Sequence, residues 1–455
     1  MKAAAAPRPS GRPTRPYRFP AFTRRRLDNG VQLIVAPVHK LPVATLSVVI
    51  DAGATADPPG LEGIAQLTAD LLLEGTAAES GAQLAERFER LGAAIETVAD
   101  WDATIVSLTA LKDQFVAAAR LLGDVLRAPA FPQAEVDRLK TERRTELVTL
   151  RTEPRGLADE MFVRVLYSKD SRYGCTIVGT ERSVDAISRN DIRQFHEARY
   201  RAGGVTVIVV GDVTAEDAET LVAQMFADWA GGKATASVAK DAVAASSRRV
   251  HVVAMPDAQQ VELRIGHVGI PRGHADYFPV VILNAVLGGL FSSRINLNLR
   301  EKHGYTYGAS SRFDWRRQSG PFVVATAVAT DVTAEAAKEA LLEIERIVTS
   351  EIEPDELSLA TSYLDGVFPI RFETTASIAA ALVALTTFGL PDDYHDRYRD
   401  RIRAVSTADV LRVAQAHLKP ASLQLLAAGD ADRIREPLAA LDFGPLSSYQ
   451  PSDLP

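Results

Sequence analysis

Between Gly288 and Gly308 a glycine pair, Gly288-Gly289, closes an apolar run, a helix-like segment carries Arg300, and Gly304 breaks that segment shortly before Tyr307. The spacing predicts a guanidinium and a phenol presented together after a turn. Both groups donate hydrogen bonds, and a guanidinium keeps its charge at any ordinary pH, so the pair is suited to holding peptide carbonyls or a developing oxyanion. The same residues also read as a surface arginine and a half-buried tyrosine. Gly288 and Gly289 have two readings as well: a helix terminus, or bare backbone beside Phe291 that a bound peptide could approach closely.

The eight histidines do not pair at helical spacing. His196-Glu197-Ala198-Arg199-Tyr200 begins as a zinc-helix motif does, but Tyr200 stands where the second imidazole must be, so His196 reads as a packed or capping residue. The single cysteine, Cys175, excludes an intrachain disulfide and a thiolate-clustered metal site.

These candidates sit in a chain of 455 residues, 47% apolar, enough for two cores. A net charge of -7 argues against nucleic acid as a partner. No apolar run in the sequence approaches the roughly 20 residues of a membrane span, and the expectation is a soluble protein, periplasmic with its leader removed or cytoplasmic. Residues 1–21, basic and proline-rich, read as an extended tail lying on a partner; 22–230 as a first α+β domain; 231–248, built of small residues, as a linker; 249–442 as a second α+β domain; 443–455 as a tail. Within the first domain, Asn29-Gly30 predicts a turn feeding a strand over 31–35, with 44–51 as its partner; a helix follows over 60–74 and two more over 112–127 and 133–151. Ile187-Ser188-Arg189-Asn190-Asp191-Ile192 and Val405-Ser406-Thr407-Ala408-Asp409-Val410 match in pattern, and so do Gly211-Asp212 and Gly429-Asp430. The residue numbers differ by 218 throughout (187 to 405, 211 to 429). The halves therefore read as a duplication, each a helical layer on a mostly antiparallel sheet.

Leu27-Asp28-Asn29-Gly30, Asp51-Ala52-Gly53, Gly63-Ile64-Ala65, Glu74-Gly75-Thr76, Tyr173-Gly174, Gly179-Thr180 and Gly211-Asp212 occur in an order that resembles the pitrilysin family of inverted-motif zinc peptidases, in the branch containing mitochondrial processing peptidase. Leu287-Gly288-Gly289, Ser293-Arg294 and the run from Leu299 to Tyr307 resemble that family's carboxy-terminal domain. In catalytic members, Gly-x-Ala is followed by His-x-x-Glu-His. The matching positions here are Gln66, Ala69 and Asp70, and Glu146 matches the third ligand on a later helix. The resemblance thus implies a degenerate motif, with no metal or other cofactor on this chain and zinc on a partner.

It also implies a role for Arg300 and Tyr307, which match the family's pair that reaches across to bind substrate carbonyls beside the scissile bond. In some members zinc ligands and this pair lie on different subunits. The expectation is a noncatalytic, substrate-binding subunit of a heterodimeric zinc metalloendopeptidase, paired with a homologous chain that bears His-x-x-Glu-His and acting on peptides or unfolded polypeptides. Gly288, Gly289 and Phe291 would contact substrate. A structural core-protein-like subunit and a peptide-binding protein without proteolytic role stay open as alternatives.

Overall fold

The computed structural model describes residues 15–169, 171–229, 232 and 246–453. Most of the expected linker lies outside the described residues, as do residues 1–14 of the expected amino-terminal tail. Two six-stranded sheets organise the rest. The first contains β1 (Thr23–Arg26), β2 (Gln32–Pro37), β3 (Val43–Ile50), β4 (Ala94–Ala99), β5 (Thr104–Leu111) and β6 (Val205–Gly211); the second contains β7 (Arg249–Ala254), β8 (Gln260–Val268), β9 (Ala309–Phe313), β10 (Pro321–Ala329), β11 (Gln424–Gly429) and β12 (Leu446–Tyr449).

Their strand orders are β1-β2-β6-β3-β5-β4 and β12-β7-β11-β8-β10-β9. The last five positions correspond one to one in the two sheets, as a duplication requires. The chemistry of the helix starts is duplicated too: Ser188 Oγ accepts from the Asp191 amide at 3.2 Å, and Ser406 Oγ from the Asp409 amide at 3.1 Å. Only the first strand of each order differs. It comes from the chain start in the first sheet, antiparallel to β2, and from the chain end in the second, parallel to β7.

Three expectations are corrected. β2 does not pair with β3: its neighbours are β1, across the Asn29-Gly30 turn, and β6. β6 enters between β2 and β3 because its seven residues are all buried, and only a central position covers both faces of such a strand. The expected carboxy-terminal tail, 443–455, contributes β12, and residues 15–21 of the expected amino-terminal tail lie on this chain itself. Phe19 is buried and stacks on His395 at 4.4 Å, while Tyr17 packs edge-on against Phe368. Phe368 and His395 belong to the second half of the same chain, and Phe19 also joins the cluster of Ile34, Val49 and Ile208 on the first sheet.

Each sheet packs its own helices on one face and borrows a helix for the other. Helix Pro154–Leu166, from the first half, lays Leu157, Met161, Phe162 and Leu166 on Val253, Val323 and Leu426 of the second sheet. Helix Thr375–Thr387, from the second half, lays Ile378, Leu382 and Val383 on Ile34, Val49 and Ile208 of the first. At about 1.5–3 kcal/mol for each large apolar side chain buried, this exchange ties the halves together firmly.

The turn between β9 and β10 adds a polar tie. The Arg317 amide donates to Asp102 Oδ2 at 2.8 Å, and the Arg316 guanidinium lies 3.9 Å from the Trp101 ring centroid. Among the described residues one helical stretch, Tyr277–Lys302, is long and apolar enough to cross a membrane, contrary to the reading of the bare sequence. Its Ile282, Leu283, Leu287, Ile295 and Leu299 are spent on the second core.

Candidate functional site

Helix Ile64–Leu71 carries the degenerate motif. It starts at Gly63, whose φ of 98° and close approach to the Val178 carbonyl, 2.4 Å from where a Cβ would stand, leave no room for a side chain. The free amides of its first turn are met by Asp57, which accepts from Gly63 at 2.7 Å and from Ala65 at 3.0 Å. Burial pushes the Asp57 carboxyl up, and Arg172, 2.8 Å away, opposes that shift.

Gln66, Ala69 and Asp70 lie within one turn of this helix. Ala69 is fully buried in the core. Gln66 donates from Nε2 to Asp70 Oδ1 at 2.7 Å and accepts the Ala99 amide, at the end of β4, at 3.1 Å. Asp70 Oδ2 accepts from Arg143 Nη2 at 2.8 Å, and Arg143 Nη1 donates to Glu146 Oε2, also at 2.8 Å. Helix Gln133–Thr152 supplies both of the latter residues, three apart on one face. Burial pushes the Asp70 carboxyl up; Arg143 first, then Gln66, pull against it.

The structure therefore links Gln66 to Asp70 and Asp70 to Glu146, the last two through a guanidinium. This set does not fit a zinc ion. An amide and two carboxylates already bonded to an arginine offer no imidazole, and the Arg143 cation would repel a divalent ion at the point between them. Sequence reasoning missed Arg143. Its only signal was a basic residue three positions before Glu146.

The second candidate group lies on Tyr277–Lys302. Helix Tyr277–Asn284 continues into a π-helical turn, Ala285–Gly289, and a second such turn, Leu297–Lys302, follows helix Arg294–Asn296. Wide turns of this kind interrupt helices frequently at functional sites. The loop between them carries Phe291, which is 67% exposed, and Asn296 clamps it by donating to the Phe291 carbonyl at 2.6 Å.

Gly288 and Gly289 divide. A Cβ on Gly288 would stand 2.4 Å from the Ser311 amide nitrogen, so its bare backbone is used in packing on β9; Gly289 is exposed. The Arg300 guanidinium rests over the Phe291 ring, 4.6 Å from the centroid, with Glu301 at 3.5 Å. Tyr307 is 92% exposed. Its loop is held by Thr306, which donates to the Ala327 carbonyl of β10 at 2.7 Å. No hydrogen bond joins Arg300 to Tyr307 among the described residues. His196 is buried, with Nε2 3.0 Å from the Leu126 carbonyl oxygen.

Two matches to known families cover most of the chain. Residues 34–180 match "Insulinase (Peptidase family M16)" and residues 186–364 match "Peptidase M16 inactive domain". The chain belongs to the M16 peptidase family.

This M16 chain is 23% identical to the uncharacterized zinc protease YmxG of Bacillus subtilis over 301 residues, 66% of this chain and 72% of that protein. It is also 23% identical to an uncharacterized zinc protease of Rickettsia bellii over 345 residues, 75% of this chain and 82% of that one. Among solved structures, the peptidase M16 inactive domain from Pseudomonas fluorescens superposes with a TM-score of 0.85 at 26% identity, over 90% of this chain and 98% of that chain. A protease from Helicobacter pylori superposes equally well, TM-score 0.85, at 19% identity over 90% and 100% of the two chains, and shows the fold alone. The M16 chain is thus a homologue of zinc proteases whose own motif positions do not fit zinc.

Proposed function

We propose that this M16 chain is the noncatalytic, substrate-binding subunit of a heterodimeric zinc metalloendopeptidase, supplying Arg300 and Tyr307 in trans to a homologous partner that bears His-x-x-Glu-His. The observation that carries the reading is Arg143, whose guanidinium bonds Asp70 and Glu146 at 2.8 Å each. A chain keeping a weakened metal site would leave those carboxylates free. This one has spent them on a fixed internal cation.

The other half of the chemistry is outward-facing. Tyr307 is 92% exposed and Arg300 keeps 38% of its side chain exposed, so both are open to a second chain. The Tyr307 hydroxyl donates to the oxygen that gains charge as the peptide carbonyl is attacked. Arg300 exchanges its contact with Phe291 for the neighbouring substrate carbonyl. The exchange is cheap, because an exposed cation–π contact is worth about 0.5–1 kcal/mol.

The test is reconstitution with an M16 chain bearing the intact motif. Alone, this chain hydrolyses no unfolded polypeptide. In the pair, Tyr307→Phe lowers kcat roughly 10²- to 10³-fold, the usual loss for one oxyanion donor, while the partner's zinc content is unchanged. Turnover that is indifferent to both Tyr307→Phe and Arg300→Ala refutes the division of labour.

A further inference from the structure

The described residues contain one group of metal-ligating side chains compact enough to hold an ion, and it lies in the second half, away from the degenerate motif: His274, Asp276 and His417. His274 and Asp276 stand in the loop before helix Tyr277–Asn284, and His417 ends helix Thr407–His417. One ligand atom from each lies within 4.8 Å of the other two. We propose that these three residues form a zinc site that fastens the loop to the end of helix Thr407–His417.

The geometry is close to that of a bound ion. Tetrahedral zinc with bonds of about 2.0–2.2 Å keeps its ligands about 3.3–3.6 Å apart. Here His417 Nε2 is 2.6 Å and His274 Nδ1 is 3.9 Å from the same oxygen, Asp276 Oδ2, so small rotations bring all three to the required spacing. The two rings meet edge to face, 81° between planes and 4.8 Å between centroids, which sets them around a common point rather than stacking them.

Each ligand is also prepared. The Asp276 amide donates to His274 Nδ1 at 3.1 Å, so that nitrogen is the unprotonated one, and an ion would take its lone pair over from that amide. Arg412 donates to the other carboxylate oxygen, Asp276 Oδ1, at 2.9 Å, which orients Oδ2 toward the rings as outer hydrogen bonds orient metal-binding carboxylates. An ion-pair cluster of Asp276 with Arg412 and His417 accounts for two of these groups and gives His274 no bond to the carboxylate, its Nδ1 lying 3.9 Å from Oδ2. A metal uses all three.

The ligand set, two imidazoles and one carboxylate, is that of a borderline divalent ion and leaves a fourth position for water or an outside donor. All three residues keep part of their surface exposed, so the ion can enter.

The test uses the full chain, stripped with a chelator, dialysed against zinc and assayed for bound metal, with Co²⁺ as a spectroscopic stand-in. The expected result is one equivalent of zinc and the visible bands of low-symmetry, nitrogen-ligated Co²⁺. His274→Gln and His417→Ala should each weaken binding by more than about tenfold. Asp70→Asn and Glu146→Gln should leave it unchanged. His274→Gln stays informative if His417→Ala disturbs the helix end, because its ring stands at the surface. Absence of zinc from the chain, or affinity unchanged in both histidine variants, overturns the proposal. Zinc lost on Asp70→Asn would place the ion at the degenerate motif instead, overturning this site and the reading of Arg143 together.

Discussion

Arg143→Met is the most searching perturbation of the degenerate motif, because it removes the cation and keeps most of the side-chain volume. Arg143 and Asp70 are largely withdrawn from water, at 17% and 23% side-chain exposure, whereas Glu146 is 62% exposed. The Glu146 bond is therefore a surface ion pair worth at most about 1 kcal/mol. Asp70 is different. Without Arg143 it is a half-buried carboxylate left with Gln66 alone, a situation that costs about 1–3 kcal/mol and less than the 3–5 kcal/mol of a fully buried pair. We expect a loss of about 2 kcal/mol, read from denaturant unfolding at neutral pH. The decisive measurement is the double-mutant cycle with Asp70→Asn. A neutral amide at that position needs no counter-ion, so Arg143→Met should cost much less in that background, giving a coupling of more than about 1 kcal/mol. Additive effects within about 0.3–0.5 kcal/mol would mean that the guanidinium does not neutralise this site.

Further outcomes follow from other parts of the molecule. Gly288→Ala sets a methyl group against the Ser311 amide and should cost about 1–3 kcal/mol, seen as a lower unfolding midpoint, with the loop bearing Phe291 more exposed to protease. Leu382→Ala, fully buried where the second half's helix covers the first sheet, should cost about 2–5 kcal/mol and loosen both halves at once; unfolding of one half alone would contradict the exchange of helices. His196, His267 and His395 are held down to about 4 by burial. They stay neutral in the folded chain while the unfolded chain takes up protons near 6.5, so stability should be lost as pH falls from about 6.5 toward 4, as urea midpoints measured across that window would show.

Much of the architecture is legible in the sequence. Helices over 112–127 and 133–151 stand close to where their apolar periodicity put them. The duplication declared itself through capping serines and Gly-Asp strand ends, which are local signals. The helix expected over 60–74 proved shorter, Ile64–Leu71, because the residues before Gly63 are drawn into the loop held by Asp57 and Arg172. Pairing of β2 was misread because adjacency in sequence favours the nearest strand, and nothing local to β2 announces that β6 will come between.

The sequence by itself determined that the motif positions lack imidazole. Ligands three and four residues apart on one helix turn are judged from identity alone, and Gln66, Ala69 and Asp70 cannot become histidines by folding. Only the tertiary structure decided which groups surround those positions and which side chains meet elsewhere. Arg143 is 73 residues from Asp70, His417 is 141 residues from Asp276, and each half completes the other's sheet with a borrowed helix. Such contacts arise from the burial of apolar surface over whole elements, which fixes where a helix lies and, with it, which charges meet.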